Sequence, residues 1–205
     1  LLRGRGCLLV GGGPSLKGQI PIIRQALAQG TPAIAVNLTL LLVPAHFGVI
    51  FDFDWFAANP AQLWRFPGLI FVPEKRLRGA THYTLEPVRM RSHKPQPGRD
   101  IDIGLSDSFA EGLFSNRCGG GLGISVAWAL GADPILLAGY DAQGDRHWYQ
   151  PTSDNRMDDM GHVRKVLDRL ADYAGERVIN CSAETALTGF PRGDLETEIG
   201  RINPR

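Results

Sequence analysis

A series of short apolar runs, each stopped by glycine, proline or a polar residue, constrains this chain more than any other feature. Leu8-Leu9-Val10 runs into Gly11-Gly12-Gly13, Ala33 to Val36 into Asn37, and "GVIF" into Asp52 and Asp54. "GLIFV" stops at Pro73, "ILLA" at Gly139-Tyr140-Asp141, and Val178-Ile179 at Asn180. Runs this short, bounded by turn residues, read as buried strands. Between several of them lie segments with helical spacing. Ile22, Ile23, Ala26 and Leu27 share a face that Gly30 terminates, and Met160, Val163, Val166, Leu167 and Leu170 line an amphipathic helix over 155–174. A glycine-rich start at Gly119 leads into the apolar helix "ISVAWAL", and "GDLETEIGRI" reads as a short last helix. Strand and helix in alternation predict an α/β fold, a Rossmann-like and mainly parallel sheet with helices on both faces.

The 205 residues suit one α/β domain over 1–205, and 43% apolar residues suffice for a core. Residues 74–103 differ. Lys75, Arg76, Arg78, Arg89, Arg91, Lys94 and Arg99 crowd among prolines and histidines, and the region reads as a basic loop or an insertion over one sheet edge. Only "THYTLEPVRM" has β character. A net charge of +1 argues against a nucleic-acid partner or a polybasic membrane anchor. Cys7, Cys118 and Cys181 are odd in number and widely spaced. They fit neither a disulfide framework nor a zinc pattern, and read as small apolar residues in a reducing compartment. With neither a membrane span nor a signal-peptide pattern, the expectation is a soluble cytoplasmic protein. The sequence leaves open whether it forms homo-oligomers, and it begins without Met, which leaves its natural start open as well.

In a parallel α/β sheet, ligands bind beyond the carboxyl ends of the strands. That rule gathers Gly11, Gly12, Gly13, Ser15, Asn37, Asp52, Asp54, Asp141 and Asn180 to Ser182 into one crevice, together with the helix start at Gly119 and Gly120. "GGGPS" reads as a turn whose glycines take positive φ and admit a ligand, with Pro14 at the first helical position. The amides that follow, Ser15 among them, would hold a phosphate. Known signatures fit poorly. The third glycine of a dinucleotide fingerprint is Leu16 here, and the second strand ends in Asn37 rather than an acid. Lys17-Gly18 has no P-loop frame, and Ser15 is not in G-x-S-x-G.

"GGGPSL" and "CGGGLGISVAWALGADPILLAGYD" instead resemble the GNGPSL turn, and the TSG turn, helix and G-I-D strand, of the family-42 bacterial sialyltransferases. The pattern is also similar to domain of unknown function 115, found in motility-associated flagellin glycosylation proteins and in an archaeal hydroxymethylpterin pyrophosphokinase. Short prophage-encoded proteins with GGGPSL, G-Y-D then H-W, and a late V-I-N-x-S resemble it further. The resemblance implies a glycosyltransferase fold and a nucleotide or nucleotide-sugar ligand. It implies nucleotide contacts at Asn37 and at the turn Cys118-Gly119-Gly120, and a phosphate contact at Tyr149. Gly12 stands where the family has asparagine, and the TSG hydroxyls are absent, which removes side-chain contacts to the nucleotide.

Asp145, Arg146, His147, Trp148 and Tyr149 follow the G-Y-D strand end. A histidine, with an ordinary pKa near ~6.5, suits a general base on a sugar hydroxyl. Arg146 suits a departing phosphate, and Trp148 and Tyr149 suit a ring. His46, His82, His93 and His162 lack such a setting and read as structural. The expected function is sugar transfer from a nucleotide-activated donor to a hydroxyl, with His147 and Arg146 as the catalytic pair and no certain cofactor. The alternatives are an ATP-dependent pyrophosphokinase of a small alcohol, which needs Mg²⁺, and a non-catalytic phage accessory protein with a vestigial nucleotide site. Asp52, Asp54 and Asp141 are the candidate metal ligands.

Overall fold

A computed structural model describes residues 1–51, 60–63, 65–73, 85–90, 103–143 and 160–203. Strands β1 (Cys7–Val10), β2 (Ala33–Val36), β3 (Phe47–Val49), β4 (Leu69–Pro73), β5 (Leu85–Val88), β6 (Ile135–Ala138) and β7 (Val178–Asn180) form one sheet. Its order is β5-β4-β3-β2-β1-β6-β7, and every neighbouring pair is parallel. The helices are α1 (Leu16–Ala28), α2 (Pro60–Leu63), α3 (Gly119–Ala129), α4 (Met160–Ala174) and α5 (Leu195–Ile202), with a 3-10 turn at Asn37–Leu41 after β2. The fold is thus α/β and Rossmann-like, as the alternating runs predict.

Strands β1, β2 and β6 are buried along their whole length, which is why they read as continuous apolar runs. Along β1, Cys7 and Leu9 pack with Leu122, Ile124 and Val126 of α3 and Val166, Leu167 and Leu170 of α4. Leu8 and Val10 point the other way, to Leu16, Ile23 and Ala26 of α1 and Leu195 and Ile199 of α5. A parallel strand pair needs a crossover, and these helices supply the two layers. No helix among the described residues is long and apolar enough to cross a membrane.

Several expectations shift. The β-like stretch inside 74–103 is β5, a parallel edge strand, so the basic region contributes to the sheet rather than only lying over it. The third strand ends at Val49, before Asp52. Helix α1 starts at Leu16 with Ser15 as its cap residue, so Pro14 lies just outside it, while Pro21 sits within. Pro21 leaves one helical bond unmade, yet the helix continues on its buried contacts through Ile23 and Ala26.

Candidate functional site

The sheet order reverses at β1. The chain steps outward from β1 to β5, then returns to place β6 on the opposite side of β1. Connections leave the two adjacent strand ends in opposite directions at such a point, and a crevice opens between them. A cavity of about 270 Å³ lies there, near the lower bound of about 300 Å³ for small-ligand sites. Gly11, Gly12 and Gly13 line it after β1, Val36 at the end of β2 and Asn37 after it, Phe51 after β3, and Gly139 to Gln143 after β6. Arg117 to Gly120 contribute the start of α3, while Met160, Val163 and Leu167 of α4 form an apolar wall. The glycine-rich turns, Asn37, Gly119, Gly120 and Asp141 thus meet in one place. Asp52, Asp54, Arg146, His147 and Tyr149 lie outside the described residues.

The glycines are required for a reason different from the expected one. None of Gly11, Gly12 and Gly13 has positive φ. What matters is the missing Cβ. A Cβ on Gly11 would stand 2.9 Å from the Tyr140 ring, and one on Gly13 would stand 2.0 Å from Asp141 Oδ2. The turns after β1 and β6 pack back to back, with Gly11 N donating to Ala138 O and Gly13 N to Gly139 O, both at 2.8 Å. Gly139 takes φ +67, and a Cβ there would meet Gly11 O at 2.5 Å. The first glycine turn therefore accommodates the Gly-Tyr-Asp turn of the neighbouring strand.

Asp141 also changes the expected role of Ser15. Its carboxylate sits at the start of α1, where Ser15 N donates to Oδ2 at 2.9 Å. A carboxylate is favourable at a helix N-terminus, where the free amides carry partial positive charge. The next amides are also occupied, Leu16 N by Gly13 O and Lys17 N by Pro14 O. The Ser15 amide expected to hold a phosphate is thus bonded within the protein. Asp141 is 1% exposed, and its Oδ1 and the Ser15 Oγ have no hydrogen-bond partner among the described residues. Burial pushes the Asp141 pKa up, opposed by the Ser15 groups beside it.

The start of α3 differs. Cys118 caps it, its Sγ accepting from Gly121 N at 3.2 Å, and Leu122 N donates to Cys118 O. The amides of Gly119 and Gly120 make no hydrogen bond with any of the described residues. Exposed Arg117 precedes them at the cavity. Asn116 and Arg117 both adopt left-handed backbone, φ 47 and 52, a conformation that asparagine tolerates better than most residues. Buried Asn116 fixes this bend. Its Nδ2 donates to Ser125 Oγ at 2.9 Å and Gly104 O at 3.2 Å, and its Oδ1 accepts from Gly104 N at 3.0 Å. The sequence reading missed Asn116 and Arg117. The signal available was an asparagine just before a glycine-rich helix start.

Asn37 has a structural task beside any ligand contact. It stands at φ 52 and its Oδ1 accepts from Phe51 N at 2.8 Å, joining the ends of β2 and β3. Next to it, buried Thr39 accepts from Val36 N at 2.8 Å and donates to Val10 O at 3.0 Å. Tyr140 spans the cavity floor, and its hydroxyl donates to Gly120 O at 3.1 Å. Asn180 to Ser182, expected in the crevice, do not line it. They stand behind the Gly139–Asp141 turn: Ser182 Oγ accepts from Tyr140 N at 2.6 Å and Asn180 Nδ2 donates to Tyr140 O at 3.4 Å. Among the described residues, no group of three or more histidine, cysteine or acidic side chains is placed to hold a metal.

These features define a class: Rossmann-like α/β proteins with a small-ligand crevice at the switch point of a parallel sheet. Among solved structures, the chain is similar to the MAf glycosyltransferase from Magnetospirillum magneticum AMB-1, with a TM-score of 0.65 and 15% identity. The likeness covers 96% of this chain and 34% of that one, so the chain spans about a third of that protein's length. At this identity the likeness establishes the fold. No protein-family model matches the sequence, and no curated protein matches it significantly.

Proposed function

We propose that the chain is a glycosyltransferase domain that binds a nucleotide-activated sugar in the switch-point cavity and transfers the sugar to a hydroxyl acceptor. The observation that carries this reading is the cavity itself. It combines an apolar wall of Met160, Val163 and Leu167 with the Gly119 and Gly120 amides and the Arg117 guanidinium. A nucleotide needs both halves, a flat apolar surface for the base and directed donors for phosphate. The likeness to a glycosyltransferase supports the same reading at the level of fold. In the reaction, His147 takes the proton of the acceptor hydroxyl. The acceptor oxygen bonds to the anomeric carbon as the bond to phosphate breaks, and the nucleotide leaves with the electron pair. Arg146 and the α3 amides stabilise the departing phosphate.

Thermal shift with CMP, CDP, UDP, GDP, ATP and CMP-sialic acid, with and without Mg²⁺, tests the binding. A rise in Tm with a nucleotide sugar, independent of Mg²⁺, is expected. With the donor so found, His147→Ala lowers turnover ~10²–10⁴-fold with donor binding kept within a few-fold. Unchanged turnover removes His147 as the base, and no shift with any of the six compounds overturns the reading. A shift with ATP that requires Mg²⁺ favours pyrophosphoryl transfer instead. Oδ1 of Asp141, at the cavity and without a hydrogen-bond partner among the described residues, is the observation on that side.

A further inference from the structure

We propose that Gln19 is a positioning residue for the ligand site, acting through the Gly139–Asp141 wall of the cavity. This rests on the nucleotide-binding reading above. Gln19 lies on α1, is 6% exposed, and is not itself among the cavity-lining residues. Its Nε2 donates to Cys181 O at 2.6 Å and its Oε1 accepts from Gly139 N at 3.1 Å. One side chain therefore joins the carboxyl ends of β6 and β7 to the helix that follows β1. The Gly139 amide has left the sheet ladder, and Gln19 gives it its acceptor. Just beyond it, the turn is held by Ser182 at Tyr140 N, by Thr185 Oγ1 at Tyr140 O (2.8 Å), and by Ala186 N at Asp141 O (2.7 Å). The backbone of this wall is thus bonded mostly to side chains and a following loop rather than to strand neighbours. Such bonds can be lost one at a time without opening the sheet.

An apolar helix face would accept leucine or methionine at position 19 on packing grounds alone, next to Leu16 and Ile23. Neither offers the donor and the acceptor that the glutamine amide presents from two atoms of one side chain. Glutamate shares the shape, but when ionised it presents an acceptor to the Cys181 carbonyl. When protonated it regains the donor. The Gln19→Glu variant should therefore have a site that works at low pH and loosens as the new carboxyl ionises. Asp141, at the far end of the turn, and the Cys181 thiol, on the residue whose carbonyl Gln19 holds, are titratable groups beside it. Glu198 of α5, the cap residue Asp194 before it and Arg192 lie close enough to Cys181 to act on its thiol.

The test compares Gln19→Met and Gln19→Glu with Ile23→Val, a control on the same buried face of α1. Amide hydrogen exchange of the 139–141 segment reads the wall, and nucleotide affinity reads the site. Gln19→Met should speed exchange at Gly139 to Asp141 by tenfold or more and weaken nucleotide binding to a similar extent. Ile23→Val should lower Tm with neither effect. Gln19→Glu should bind like the parent at low pH and like Gln19→Met at high pH. Exchange unchanged in Gln19→Met, or affinity lost equally in Ile23→Val, overturns the proposal. Fast exchange with parental affinity overturns it too. If the parent binds no nucleotide, the functional reading fails, and exchange at 139–141 alone decides whether Gln19 sets the wall.

Discussion

A methyl group at Gly13 should unsettle the fold rather than only obstruct a ligand. In Gly13→Ala the new Cβ would stand 2.0 Å from Asp141 Oδ2 and 2.8 Å from Gly139 O, both inside normal contact. Gly139 O is backbone and cannot swing away, so the Asp141 side chain has to move. That breaks the 2.9 Å bond from Ser15 N and leaves a part-buried amide without its acceptor. Loss of a hydrogen bond to a charged group costs about 1.5–3 kcal/mol, and the remaining backbone crowding about 1–3 kcal/mol. The sum, about 2.5–6 kcal/mol, is a large part of the ~5–15 kcal/mol that holds a domain together. At about 2–4 °C per kcal/mol for a chain of this size, Tm should fall by roughly 5–24 °C. The assay is a double-mutant cycle with Asp141→Ala, followed by thermal and urea unfolding. With the carboxylate gone, Gly13→Ala should cost only the crowding against Gly139 O, leaving a coupling of about 1.5–3 kcal/mol. Additive effects, or a Gly13→Ala protein as stable as the parent, would refute the carboxylate contact as the reason for the glycine.

Two further outcomes follow from buried polar groups. Burial raises the Asp141 pKa, so the folded state holds that proton more tightly than the unfolded chain. The stability this confers is fully present below the unfolded value, near ~3.9, and is lost as pH rises through the folded pKa. The Tm difference of Asp141→Asn relative to the parent should therefore move in the variant's favour as pH rises from about 4 to 7, and a flat difference would count against a raised pKa. Asn116→Ala should cost about 3 kcal/mol or more in urea unfolding, because it removes the bonds to Gly104 and Ser125 and leaves buried partners unsatisfied at a left-handed position.

Much of the architecture was legible because strands such as β1, β2 and β6 are short apolar runs, each cut off sharply. The glycine-rich start of α3 and the meeting of Asn37 with Gly119 and Gly120 followed from strand ends and the switch-point rule. What escaped depends on which strands are neighbours. Nothing local to "GGGPS" says that a carboxylate from Asp141 will cap α1, because that contact exists only once β6 lies beside β1. Local chemistry pointed to Ser15 as a free donor, and tertiary structure took the donor. Gln19 was unreadable for the same reason, a polar residue on a face otherwise spaced for packing. Leu85 to Val88 was obscured by its basic surroundings, although a parallel edge strand needs only a short β-compatible run.

The place of β6 has a consequence for how the chain is made. β1 leads the sequence, yet one of its two neighbours is a strand synthesised well over a hundred residues later, the separation that also parts Ser15 from Asp141. Until β6 emerges, β1 is an edge with an open row of backbone groups and apolar side chains on both sides. The first helix meanwhile lacks its distant acid cap. A nascent chain can assemble β1 to β4 while β1, an interior strand of the finished sheet, remains half paired. The interval before β6 arrives is when this protein is most exposed to pairing with another copy of itself.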